Sequence, residues 1–73
     1  MGKGTRKLSN NLRDLRQKNG SITQQELADL VGVTRQTVIA IEGNKYSPSL
    51  EVAFMIAQAL GARIDDVFQY GAA

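Results

Sequence analysis

Apolar residues recur along this chain at helical intervals and hardly anywhere at alternate positions. Leu8, Leu12 and Leu15 stand four and three apart, so they share one face of a first helix expected over residues 8–18. Asn19-Gly20-Ser21 stops it, with Gly20 able to take the left-handed cap conformation. Thr23-Gln24-Gln25-Glu26 reads as a capping box: the Thr23 hydroxyl accepts from the Glu26 amide, and the Glu26 carboxylate accepts from the Thr23 amide. It opens a short helix that turns Leu27, Ala28 and Val31 inward and ends at Gly32. Thr34 caps a third helix, Arg35–Glu42, anchored by Val38 and Ile41. Residues 43–48 form a loop, and Ser49 caps a fourth helix over residues 50–60, which Gly61 ends. A last helical turn over residues 64–69 carries Val67 and Phe68 back to the core. With no strand alternation, internal repeat or low-complexity tract, the pattern predicts an all-α domain of five helices.

The fourth helix departs from simple amphipathicity. Glu51 and Gln58 are its only polar residues, and a helix apolar nearly all round is covered on more than one side. The face Leu50, Ala53, Ala57 and Leu60 suffices for the domain core. Val52, Met55 and Ala59, with Phe68 and Tyr70 from the tail, are then expected to meet a second copy of the chain in a homodimer. Packing of that face between the other helices and the tail is the alternative.

Composition removes whole classes of chemistry. The 73 residues include no cysteine and no histidine, so disulfides, thiolate metal sites and the commonest general base and metal ligand are all missing. An enzyme, a metal site or a cofactor is therefore not expected. Asp65 and Asp66 are adjacent and would point about 100° apart on a helix, unlike a catalytic carboxylate pair. Gly2-Lys3-Gly4 lacks the preceding strand that a phosphate-binding loop needs. The longest apolar run, residues 52–57, is too short for a membrane span or an export signal, so a soluble, cytoplasmic protein is expected. Charge is uneven: residues 1–48 hold eight of the nine cations against four acids, a net +4, while residues 49–73 are net −2. Such polarity suits an anionic partner for the first two thirds, although a solvated surface with a chance imbalance would look the same.

The two short central helices narrow the choice. Each is too short to stand alone, and the tight turn at Gly32 imposes a large crossing angle between them. The third helix is thereby pushed outward as a ridge. Counting about 100° per residue from Val38, Gln36, Ile39 and Ala40 face outward, with Arg35 and Thr37 flanking them at the N-terminal end. Arg suits guanine, Gln suits adenine, and Thr, Ala and Ile can touch a thymine methyl. A merely solvated helix would favour Glu and Lys on that face.

The segments Thr23-Gln24-Gln25-Glu26-Leu27-Ala28, Gly32-Val33-Thr34-Arg35-Gln36-Thr37, Ile41-Glu42 and Pro48-Ser49-Leu50 together resemble the helix-turn-helix family of phage repressors and XRE-type regulators. The resemblance covers residues 8–68 and implies a five-helix, phage-repressor-like DNA-binding domain with the helix-turn-helix at helices 2 and 3. It divides the chain into a flexible basic arm (residues 1–7), the domain (residues 8–70) and a tail (residues 71–73). It implies that Arg35, Gln36, Thr37, Ile39 and Ala40 read bases from the major groove. Gln24, Asn44, Lys45 and Tyr46 would hold phosphates, with Arg6 and Lys7 reaching the backbone or minor groove from the arm. It also implies a partly buried ion pair between Arg16 and Glu42. Two positions depart from the family pattern: Gly43-Asn44 stands where Asn-Gly is frequent, and Arg63 stands where Ser or Asp often caps the last helix.

The expected function is a transcriptional regulator, a repressor by preference, that binds double-stranded DNA as a homodimer on an inverted repeat. Its two third helices would then lie about 34 Å apart. No segment is left over for ligand sensing, so control is expected from concentration, a protein partner or the operator. An antitoxin-type protein that holds a toxin and regulates its own promoter is the alternative. A pure protein-interaction module is a third.

Overall fold

The structure, a computed structural model that describes residues 6–72, has its second, third and fourth helices where their caps predict them, but residues 6–10 and 68–72 pair as strands. The order is β1 (Arg6–Asn10), α1 (Leu12–Lys18), α2 (Gln24–Val31), α3 (Arg35–Glu42), α4 (Leu50–Ala59), α5 (Ile64–Val67) and β2 (Phe68–Ala72). The five expected helices are present. The all-α expectation is corrected by a two-stranded antiparallel sheet in which Leu8 faces Tyr70 and Asn10 faces Phe68. Residues 1–5 of the expected arm lie outside the described residues, as does residue 73, whereas Arg6 and Lys7 open β1 and Gly71 and Ala72 close β2. Among the described residues, no helix is long and apolar enough to cross a membrane.

The first helix starts at Leu12, four residues later than the leucine spacing predicts. Ser9, Asn10 and Asn11 carry short polar side chains that compete with helical backbone bonds. The Asn10 side-chain oxygen accepts from the Leu12 amide at 3.0 Å, so it satisfies a free donor at the helix start. The Asn11 amide donates to the Val67 carbonyl at 2.9 Å, carrying the strand pairing up to the base of α1. At the other end α5 stops at Val67 instead of residue 69. The Gln69 side chain donates to the Asp65 and Asp66 carbonyls and so occupies acceptors that a longer helix would use.

Leu12, Leu27, Ala28, Val31, Val38, Ile41, Ile56, Ala57, Leu60 and Val67 form one continuous core. In α4 the buried residues are Ala53, Ile56 and Ala57, followed by Leu60 at the cap; Leu50, expected inside, is 71% exposed. Ile56 takes its place because the inward arc of α4 is rotated toward Ala53, Ile56 and Leu60. Val52, Met55 and Ala59 are half-buried and pack against this same core. The Arg63 departure is resolved by its neighbour. Arginine has no acceptor to offer, and instead the Asp66 carboxylate accepts from the Arg63 amide at 3.2 Å.

Leu12 and Leu8, equivalent by spacing, are thus unequal by structure. Leu12→Ala is expected to lose roughly 2–5 kcal/mol of unfolding free energy in urea, whereas Leu8→Ala, at a half-buried strand position, should lose about 1 kcal/mol. Equal losses would contradict the strand assignment of Leu8.

Candidate nucleic-acid interface

The helix-turn-helix is built from local signals. Both halves of the α2 capping box form: the Glu26 amide donates to the Thr23 hydroxyl at 3.0 Å, and the Thr23 amide to Glu26 Oε1 at 2.8 Å. Gly32 then takes φ +74, a left-handed turn that a residue with Cβ resists. The Val33 amide closes that turn on the Ala28 carbonyl, and Thr34 starts α3 at once, its hydroxyl accepting from the Thr37 amide at 3.1 Å. Val38 and Ile41 are buried, so α3 is held by one stripe only.

That leaves Arg35, Gln36 and Ile39 exposed, while Thr37 and Ala40 are half-buried at the edges of the outward face. The Thr37 hydroxyl lies 2.9 Å from that of Thr34, so it is partly engaged at the helix start. The face has the composition expected from the sequence.

Behind it, Glu42 at the end of α3 accepts three hydrogen bonds from two partners. Arg16 of α1 donates to it through Nε at 2.6 Å and Nη2 at 3.2 Å, and Gln24 of α2 donates through Nε2 at 3.1 Å. Arg16 Nη1 donates in addition to the Ile22 carbonyl at 2.8 Å. The charged side chains are only 12% and 10% exposed. The pair therefore lies where the resemblance implies, and Gln24 joins it, which the sequence did not suggest. One of the two amide hydrogens of Gln24 is committed to Glu42, leaving one for an outside acceptor.

The loop after α3 closes in a Schellman pattern, with the Lys45 amide donating to the Ala40 carbonyl at 2.8 Å and the Asn44 amide to the Ile41 carbonyl at 3.0 Å. The unusual Gly43-Asn44 order has a simple consequence: Gly43 keeps an ordinary φ of −84 and Asn44 takes the left-handed position at φ 59. Asn10 of β1 explains how an asparagine is held there. Its side-chain amide donates to Asn44 Oδ1 at 3.0 Å and to the Ile41 carbonyl at 3.0 Å. With its oxygen accepting from Asn10, Asn44 has its amide hydrogens as its remaining side-chain donors. Lys45 and Tyr46 are exposed beside it. Sequence reasoning missed Asn10, whose only signal was an asparagine pair just ahead of a helix. Lys7 is exposed on β1, and the Arg6 side chain lies outside what is described.

The expected dimer residues are less coherent. Val52, Met55, Ala59 and Phe68 are half-buried, and Tyr70 is 70% exposed. The exposed apolar residues of α4 are Leu50 and Phe54, the latter 48% exposed, and at about 100° per residue they lie across the helix from Val52 and Ala59. Leu50 borders a groove with Leu8, Pro48, Ala53, Ile64 and Phe68. Tyr70, directly opposite Leu8 in the sheet, extends this apolar surface.

A fold in which two capped eight-residue helices meet at a left-handed glycine, with the second presenting polar side chains outward, defines a helix-turn-helix domain. The helix-turn-helix family profile matches residues 12–67. The chain is 54% identical over 50 residues to a Methanocaldococcus jannaschii protein named as an uncharacterized HTH-type transcriptional regulator, covering 68% of this chain and 76% of that one. A Methanothermobacter thermautotrophicus protein of the same description is 55% identical over 58 residues, covering 78% and 83%. The Bacillus subtilis regulator YgzD, also named as HTH-type, is 44% identical over 61 residues, covering 84% and 91%. This chain belongs to the helix-turn-helix family of DNA-binding transcription regulators.

Removing one partner of the ion pair would strand the other away from water. Glu42→Ala is expected to lower the unfolding free energy by about 3 kcal/mol, measured in urea. Combining Arg16→Met with Glu42→Leu should recover most of that loss, because no charge is then left buried. A double variant as unstable as Glu42→Ala would show that the pair itself, and not the stranded arginine, carries the effect.

Proposed function

We propose that the protein represses transcription in the cytoplasm by binding an inverted-repeat operator as a homodimer, with α3 of each copy in the major groove. The observation that carries this reading is the outward face of α3, where Arg35, Gln36 and Ile39 are exposed on a helix anchored by Val38 and Ile41 alone. Arg35 and Gln36 supply bidentate donors for guanine and adenine edges, while Ile39, with Thr37 and Ala40 at its sides, suits thymine methyls. Gln24, Asn44, Lys45 and Tyr46 flank the groove and donate to phosphates, fixing the register of α3. Lys7 adds a positive charge from β1, and Arg6 is assigned the same role.

The second copy covers the apolar surface of Leu50, Phe54, Phe68 and Tyr70. Val52, Met55 and Ala59 serve the domain core instead. A twofold axis there gives each operator half-site one α3 and lets two modest affinities combine. Repression follows from occluding the polymerase. The toxin-holding alternative gains no support from the relatives' names.

Selection from a random duplex pool at about 150 mM salt should enrich an inverted repeat whose half-sites are centred about 34 Å apart. Arg35→Ala and Gln36→Ala should each relax particular bases at a cost of about 1–3 kcal/mol. Sedimentation of the free protein should show a dimer at tens of micromolar that Phe54→Glu dissociates. A monomer at that concentration, or enrichment of single half-sites, would remove the dimer from the model.

A further inference from the structure

An open cleft of about 640 Å³ lies between α1 and the N-terminal ends of α2 and α3. Its floor is the Arg16–Glu42 pair, whose charges cancel. Its walls carry Arg13 from α1 and Arg35 from α3, with Gln24 and Gln25 from α2. Three arginines against one glutamate give the lining a net charge of +2. Arg13 and Arg35 are both exposed, and among the described residues neither lies within 4.0 Å of a carboxylate, in contrast to Arg16 and Arg63.

Arg13 and Arg16 stand three apart on α1 and so face the same way. One guanidinium is spent on holding the fold, and the other, one turn nearer the start of α1, projects at the rim of the cleft. The cleft borders the first residue of α3, so a DNA strand that flanks the groove occupied by α3 would pass its mouth. A phosphodiester there would meet the Arg13 guanidinium on one wall and the remaining amide hydrogen of Gln24 on the other, with the positive charge of Arg35 nearby as it turns to the bases. Arginine matches that geometry because its planar fork can donate two parallel bonds to phosphate oxygens.

We propose that Arg13 is a phosphate contact of the operator backbone, so that α1 grips the strand that α2 and α3 straddle. This inference rests on the DNA-binding reading above and adds to it a residue outside the helix-turn-helix. Its role is affinity and register; base choice stays with α3.

The test measures binding of the Arg13→Ala, Arg13→Gln and Arg13→Lys variants to the selected operator and to an unrelated duplex across a salt series. Because Arg13 is exposed, all three should keep the wild-type melting temperature. Arg13→Ala and Arg13→Gln should weaken both duplexes by a similar factor, about tenfold, and make the slope of log affinity against log salt shallower by about 0.9, as loss of one phosphate contact requires. Arg13→Lys should keep the wild-type slope. An unchanged slope in Arg13→Ala, or a changed preference at a single base, overturns the assignment while leaving the DNA reading intact. A wild-type chain that binds no duplex selectively overturns both. Millimolar inorganic phosphate should leave the wild-type melting temperature where it is; stabilisation lost in Arg13→Ala would make the cleft a free-anion site instead.

Discussion

One carboxylate, that of Glu42, fixes how three segments of this chain meet. Arg16 reaches it from α1, Gln24 from the first turn of α2, and Arg16 also holds the Ile22 carbonyl in the connection between those helices. Two eight-residue helices have little stability of their own and bury only a few side chains each. Apolar packing is tolerant of small rotations, whereas a charged hydrogen-bonded cluster is not. An ion pair largely removed from water adds little net stability compared with well-packed apolar groups. Its contribution here is geometric: it sets the angle at which α3 leaves the domain, and the outward face of α3 inherits that angle.

A second tether acts on the same C-terminal end of α3 from the other side. Asn10 binds the Ile41 carbonyl and the Asn44 side chain, and it belongs to a strand held in register by the last residues described. Glu42 is thus braced from the helical side and the following loop from the sheet. The residues assigned to bases lie on α3 and those assigned to phosphates lie at both ends of it. Support of the C-terminal end of α3 from two sides keeps the two sets in fixed relation, which is what a protein needs if backbone contacts are to set the register of base contacts.

The central helices were legible because their boundaries are written in short-range chemistry. Thr23 with Glu26, Gly32, Thr34 and Ser49 each do locally what the sequence says they do. The outward face of α3 followed from two buried anchors. The ends were less legible. Leu8 fits a helical spacing, and nothing in residues 6–10 favours a strand; pairing with Phe68-Gln69-Tyr70, an aromatic–polar–aromatic alternation over three residues, decides the matter from about 60 residues away. The inward side of α4 failed for a different reason. When a helix is apolar nearly all round, periodicity leaves the phase undetermined, and only packing shows that Ile56 enters the core while Leu50 stays outside. Gln24 and Asn10 act through hydrogen bonds to residues distant in sequence, which no local pattern encodes.

The pairing of β1 with β2 has a consequence for the order in which the molecule acquires its shape. Joining strands about 60 residues apart costs about 3.6 kcal/mol of loop entropy when the intervening chain is unstructured, and far less once the helices between them have shortened the gap. The α2–α3 turn, by contrast, closes over neighbours in sequence and carries its own caps. A chain emerging from the ribosome can therefore assemble the α2–α3 unit early, while the brace on the loop beyond it waits for residues 68–72. During synthesis, a nascent chain would hold α3 without the Asn10 clamp, and the ribbon would be the last part to lock.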